Sequence, residues 1–380
     1  MNNTPDFRAR CAQALASQAS RAAGLTAFVG LDGFVDEILH VVDKRENAEV
    51  YHRLPTIAQL AQRLAAAAGK SANLELVNQV TKLGGNGPIM ANALASFGLK
   101  VTYVGVLGYP NLHPVFQPFA KIAEVISIAD PGTTDALEFE DGKIMIGKHG
   151  TLKQVTWENI IARCGRERIT AKFSGADLVG FVNWTMLPYM SDIWDAILKE
   201  VCPSLPAAPR RTIFFDLADP EKRTHADIVR ALDLIGKFEK YFNVILGLNE
   251  KEAHQIGEVF GYKPKTALPE SLAEFARDVA AKLPISTLVV HPTHYALAVS
   301  KGQVSMVEGP FTPKPLITTG AGDHFNSGFC LGKLLGLDDA ACVLTGVSTS
   351  GHYVRTAQSP AIPQLIELMQ DPAKWQGGKA

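Results

Sequence analysis

Short, unbroken runs of Val, Ile, Leu and Phe recur along this chain, separated by segments with the apolar spacing of helices. The first run covers residues 25–31. Run 101–107 precedes a helical pattern over 116–124, run 178–182 precedes 189–201, run 212–217 precedes 226–238, and run 244–248 precedes 250–260. Run 288–290 follows a helical pattern over 269–282, and 12–23 reads as a surface helix. A strand without a polar face must be covered on both sides, so its sheet lies inside the molecule with helices over it. The alternation predicts an α/β fold with a doubly wound, mainly parallel sheet.

Two segments break that rhythm. Residues 38–54 alternate in places and carry charges on both sides of Val41-Val42. Residues 135–155 contain two amphipathic runs around Glu140-Asp141-Gly142-Lys143, a hairpin signal. These segments predict a small antiparallel sheet standing apart from the main one, either a mobile lid over a cleft or a surface decoration. The reading is one domain over 1–380, with lid inserts at about 36–56 and 132–155.

Composition argues against several partners. The 380 residues are 47% hydrophobic and 20% charged, with net charge −1. That is enough apolar material for a sizeable core, and no dense Lys/Arg block suggests nucleic acid. The five scattered cysteines form no CxxC pair and suit a reducing compartment. Residues 1–21 lack an apolar signal-peptide core, and no run of eighteen apolar residues predicts a membrane span. A cytoplasmic protein is expected.

Four motifs carry chemistry. Thr318-Thr319-Gly320-Ala321-Gly322-Asp323 follows an apolar strand-like stretch and opens a small-residue helical pattern. Backbone N–H groups at such a helix start form an anion site, and Asp323 there can take a proton from an attacking hydroxyl. A plain helix-start turn is the competing reading. Leu83-Gly84-Gly85-Asn86-Gly87 lets a ligand approach the backbone, and Asn86 offers a polyol both a donor and an acceptor; a flexible turn before the helical pattern 89–97 competes. Asp32 and Asp36 lie at the end of the first strand, where ligands of open α/β sheets collect, although one of them could be a turn or cap residue. Asn249 and Glu252 stand three apart after an apolar run. They could order Mg²⁺-bound waters, or simply cap a helix.

In this order the four motifs resemble the ribokinase-like, or PfkB, family of carbohydrate and nucleoside kinases, over residues 25–363. The resemblance implies a three-layer α/β sandwich with a β lid, ATP as donor and Mg²⁺ as metal. It implies Asp323 as catalytic base, with the Gly320, Ala321 and Gly322 amides as anion hole and Thr318 and Thr319 beside the nucleotide. Asn249 and Glu252 would steer the phosphates and, through water, the metal. Gly84, Gly85, Asn86, Asp36 and Asp32 would face a sugar. Family members are monomers or dimers paired through their lids.

Some positions depart from the family. Ile317 stands where an Asp often helps hold a monovalent cation, which removes the basis for expecting K⁺ dependence. The family's usual Asn near the glycine pair falls on Ile89. His291-Pro292-Thr293-His294 replaces a Thr and Gly near the nucleotide. With no third ligand nearby, these histidines read as a loop by the adenine or phosphates, and His324 as pointing away along its helix. Tyr109-Pro110 replaces an acidic pair, and Asp36 lies one residue late. The expected activity is transfer of the ATP γ-phosphate to a sugar or polyol hydroxyl, with a nucleoside or sugar phosphate as alternative acceptor. A Rossmann dehydrogenase would need GxGxxG after the first strand, where Gly30-Leu31-Asp32-Gly33 stands instead. A non-catalytic binding protein would not need Asp323.

Overall fold

The computed structural model describes residues 2–263 and 268–376. Its fourteen strands are β1 (Thr26–Leu31), β2 (Phe34–Arg45), β3 (Tyr51–Arg53), β4 (Leu76–Gly84), β5 (Lys100–Gly105), β6 (Glu124–Ser127), β7 (Gly132–Phe139), β8 (Gly142–Lys148), β9 (Leu178–Phe181), β10 (Arg211–Asp216), β11 (Phe242–Leu248), β12 (Thr287–Val290), β13 (Tyr295–Ser300) and β14 (Gln303–Glu308). Nine of them form the main sheet, in the order β14-β13-β12-β11-β10-β9-β1-β5-β6. From β12 to β6 every pair is parallel, while β13 and β14 close one edge as an antiparallel hairpin.

Strand alternation builds two apolar layers. Phe28, Ile213, Phe215, Val244, Leu246, Leu288 and Val290 face one layer. Their neighbours Ala27, Val29, Phe214, Ile245 and Val289 face the other. Period-two packing on both faces is what unbroken apolar strands require. The first layer is covered by helices such as Met190–Glu200 and His225–Phe238, the second by Asn86–Ser96, Ala321–Leu334 and Asp339–Thr356.

The remaining five strands form the lid. β2 pairs antiparallel with β3 and β4 and parallel with β7, which pairs antiparallel with β8. The turn between β7 and β8 falls at Glu140-Asp141, where the sequence signals a hairpin. Leu76, Val80, Met145 and Ile146 are exposed on the lid.

Several local expectations are corrected. The first helix is Pro5–Gln18, started by Thr4, whose hydroxyl accepts from the Phe7 amide; a tighter 3₁₀ turn covers Ala19–Gly24. Instead of a helix over 116–124 there is one turn at Gln117–Ala120, because the chain re-enters the sheet at β6. No strand leads directly into Thr318; the last one, β14, ends at Glu308. Pro310, Pro313 and Pro315 supply no amide for a ladder, and the segment runs as loop. The five cysteines are buried and unpaired. Among the described residues no helix is long and apolar enough to cross a membrane.

Candidate active site

The parallel strands end at a cavity of about 490 Å³ between the main sheet and the lid. Asp323 is its central group. It lies in the first turn of the Ala321–Leu334 helix, which starts at Gly320 in a left-handed conformation, φ 91°. The Ala321 amide turns back onto the Thr318 carbonyl at 3.1 Å, and the His324 amide bonds the Gly320 carbonyl at 3.1 Å. Of the three amides expected to hold an anion, those of Gly320 and Gly322 have no acceptor among the described residues, and neither has that of Asp323. Thr319, Gly320, Gly322 and Asp323 line the main cavity. Thr318 and Ala321 line an adjoining pocket of about 300 Å³, walled by Pro292, Pro310, Phe311 and Val347.

This turn is held from behind. The His324 ring lies parallel to Tyr353, centroids 3.6 Å apart. Its Nδ1 donates to the Gly320 carbonyl at 2.8 Å, which leaves Nε2 to accept from the Ser359 hydroxyl at 2.8 Å. Burial pulls His324 down to about 4, so the ring is neutral. His324 thus points away from the cavity, as its position along the helix predicts, and the Tyr353 hydroxyl adds a bond to the Thr319 carbonyl at 3.0 Å.

The glycine pair brings the second wall. Gly85 has φ 98° and starts the Asn86–Ser96 helix directly from β4. A side chain at Gly84 would meet the Asp36 carboxylate at 2.4 Å, so Gly84 makes room for Asp36. Asn86 Nδ2 donates to Asp323 Oδ1 at 3.0 Å, joining two motifs 237 residues apart. Asp36 lines the same cavity from the lid strand β2; burial raises its carboxyl, while nearby Lys82 and a hydrogen bond from Thr134 oppose the shift.

Asp32 is different. It has no exposed surface and accepts from the Asn86 amide at 3.0 Å, the Gly87 amide at 2.9 Å and Asn183 Nδ2 at 2.6 Å. The Tyr103 hydroxyl caps its own carbonyl at 2.6 Å. Asp32 is absent from the cavity lining and lies behind its wall, where these bonds tie it to the glycine loop. Burial pushes its carboxyl up to about 6 despite these bonds.

Asn249 and Glu252 form a capping box on the Glu250–Val259 helix: Glu252 accepts the Asn249 amide at 2.8 Å, and Asn249 accepts the Glu252 amide at 2.9 Å. The other Glu252 oxygen accepts the Asp219 amide at 2.9 Å. Both residues line the cavity, so cap and cavity wall are one structure. Asp216 and Asp219 join them there, absent from the sequence reading. Asp216 ends β10 as Asp32 follows β1, so the strand-end rule applied to every strand would have found it. It accepts from Asn326 Nδ2 at 2.9 Å, and burial, followed by the charge of Glu252, pushes it up to about 8. Burial and Asp216 likewise hold Asp323 well above the ordinary carboxylate range. His291 lines both pockets; its half-buried ring lies 4.9 Å from that of Phe325, and desolvation pulls it down to about 4.

These carboxyls make a pH prediction. A carboxyl raised above its unfolded value of 3.8 binds its proton more tightly in the native state, so stability falls as pH rises through that window. The windows run from 3.8 to about 6 for Asp32 and to about 8 for Asp216. Urea unfolding without nucleotide should show stability decreasing between pH 6 and 8, by up to about 1.4 kcal/mol per pH unit for one group. Asp216→Asn should flatten that slope; an unchanged slope refutes the assignment.

The profile of the prokaryotic ketohexokinase family matches residues 2–371. The chain belongs to that family. A ketohexokinase of Haloferax volcanii is 30% identical over 338 residues, covering 88% of either chain. Among solved structures, the chain is similar in fold to Arabidopsis thaliana ribokinase complexed with ribose and ATP (TM-score 0.63, 15% identity, 91% of this chain and 98% of that one). It is also similar to Escherichia coli phosphofructokinase-2 with substrates and products (TM-score 0.59, 13% identity, 91% and 98%). This prokaryotic ketohexokinase-family member is a carbohydrate kinase of the ribokinase fold, an ATP-dependent enzyme acting on a sugar.

Proposed function

We propose that this chain transfers the γ-phosphate of ATP to a primary hydroxyl of a ketohexose, with Asp323 as general base. The observation that carries the reading is a buried carboxyl at a helix start with unpartnered amides, hydrogen-bonded to Asn86 and sharing one cavity with Asp36. The sugar lies against Gly84, Gly85, Asn86 and Asp36, its reacting hydroxyl directed at Asp323. Desolvation and Asp216 raise the proton affinity of Asp323, which makes it a better base than an ordinary carboxylate. As its oxygen attacks phosphorus, the hydroxyl gives its proton to Asp323 and ADP leaves. The amides of Gly320, Gly322 and Asp323 face the charge developing on the phosphoryl oxygens. The adjoining apolar pocket beside Thr318 and Ala321 takes the nucleotide base.

Among the described residues no cluster of three or more His, Cys, Asp or Glu side chains forms a direct metal cage. The crowding of Asp216, Asp219 and Glu252 instead fits Mg²⁺ held through its waters, with Asn249 and Glu252 fixing them. When bound, that ion offsets charge on the ATP phosphates.

The charge in the cavity favours an unphosphorylated acceptor. Lys222 is the only Lys or Arg among the described lining residues, and its ammonium lies 3.0 Å from Asp219. A sugar phosphate would meet Asp36, Asp216, Asp219, Glu252 and Asp323 against one lining cation, Lys222, already paired with Asp219. ADP release should therefore give a kcat/KM for D-fructose at least about tenfold above that for its phosphates. Should a sugar phosphate or a nucleoside prove the better substrate, the ketohexose reading fails.

A further inference from the structure

Asn183 follows β9 and lines the sugar-side cavity although it is only 3% exposed. Its φ of 61° is a left-handed conformation that asparagine tolerates better than most residues. Its Nδ2 donates to Asp32 Oδ2 at 2.6 Å, which fixes which way the amide faces. Asp32 already accepts from the Asn86 and Gly87 amides and acts as an acceptor, so the edge toward it must be the NH₂ group. The carbonyl oxygen Oδ1 is thereby turned away from Asp32. It is buried and has no hydrogen-bond partner.

A desolvated amide oxygen without a donor is costly, and buried oxygens of this kind are ordinarily satisfied. Here the oxygen belongs to a residue of the cavity that also holds Asp36, Asn86 and Asp323. The missing donor is therefore best supplied by a molecule in that cavity. A sugar hydroxyl is such a donor. The same Asp32 that fixes Asn183 accepts the Asn86 amide, and the Asn86 side chain bonds Asp323. One chain of hydrogen bonds thus sets the oxygen in register with the general base.

We propose that Asn183 Oδ1 accepts a hydrogen bond from a non-reacting hydroxyl of the sugar, making Asn183 a specificity-determining residue of this kinase. The inference rests on the cavity being the sugar site, as proposed above. A polar group built to meet a hydroxyl rejects analogues lacking it far more strongly than an apolar wall does.

The test compares D-fructose with analogues that each lack one non-reacting hydroxyl. In the wild type one analogue should lose about 10- to 100-fold in kcat/KM through this contact. In Asn183→Gly, which keeps the left-handed backbone and removes the side chain, that one penalty should largely disappear while the others persist. D-fructose itself should lose in KM more than in kcat. Asp32→Asn loosens the anchor but leaves the acceptor, so all sugars should slow while the selective penalty remains. A uniform loss across every sugar in Asn183→Gly would make Asn183 only a brace for Asp32 and overturn the proposal. If the glycine variant does not fold, Asn183→Ser is scored in the same way. A wild type that turns over no sugar at all defeats the underlying reading, independently of any variant.

Discussion

Asp323→Asn should lower kcat by about 10²- to 10⁴-fold while the KM for sugar changes only a few-fold. The exchange preserves shape, and the new amide oxygen can still accept the Asn86 Nδ2 bond that Asp323 Oδ1 takes at 3.0 Å. Only the ability to receive a proton is lost. ADP release at saturating sugar and ATP measures the effect; a variant that keeps more than about a tenth of the wild-type rate would rule Asp323 out as the base. The pH profile supplies a second measure. A base works only when ionised, so kcat/KM must fall as pH drops through its pKa. Because burial and Asp216 raise Asp323, this acidic limb should lie above the range of an ordinary carboxylate. A limb at the usual carboxylate position would contradict the geometry.

The largest expected loss of stability comes from Asp32→Ala. The substitution leaves the Asn86 amide, the Gly87 amide and Asn183 Nδ2 without their acceptor in a fully buried place. Stranding buried donors in this way costs about 3–5 kcal/mol. Part of the loss is offset, since a desolvated carboxylate whose pKa stands at about 6 is itself an uncomfortable group. Urea unfolding at neutral pH reads the difference directly, and a loss under about 1 kcal/mol would mean that the loop is held by something other than Asp32. Surviving enzyme should also be slow, because Asn86 carries the disturbance to Asp323.

The sequence shows the main sheet plainly because its strands are apolar on both faces, and nothing but a covered sheet accommodates that. It marks the helix start at Gly320–Asp323 because glycine and Asp in such a place carry a recognisable chemistry. β4 escapes because most of Leu76–Gly84 is exposed and its polar residues read as loop. The inward turn of Asp32 is equally hidden: two carboxylates four apart look alike in sequence, and only the fold puts one in the cavity wall and the other behind it. Asn249 and Glu252 show that a capping motif and a cavity-lining pair can be the same residues, so the two readings were never exclusive. Asp216 and Asn183 are missed for a simpler reason. Neither belongs to a motif; each acquires its meaning from lying at or just past the end of a strand beside the others.

The lid has no slack in its attachment. Only Asp32 and Gly33 separate β1 from β2, and β4 passes into the Asn86–Ser96 helix through Gly85 alone. Any tilt of the lid must be absorbed at Asp32-Gly33 and at Gly84-Gly85, the very joints that carry Asp36 and Asn86. The lid is therefore hinged at the glycine loop that lines the cavity. A tilt at these joints would displace Asp36 and strain the Asn86–Asp323 hydrogen bond together, so the two are mechanically coupled.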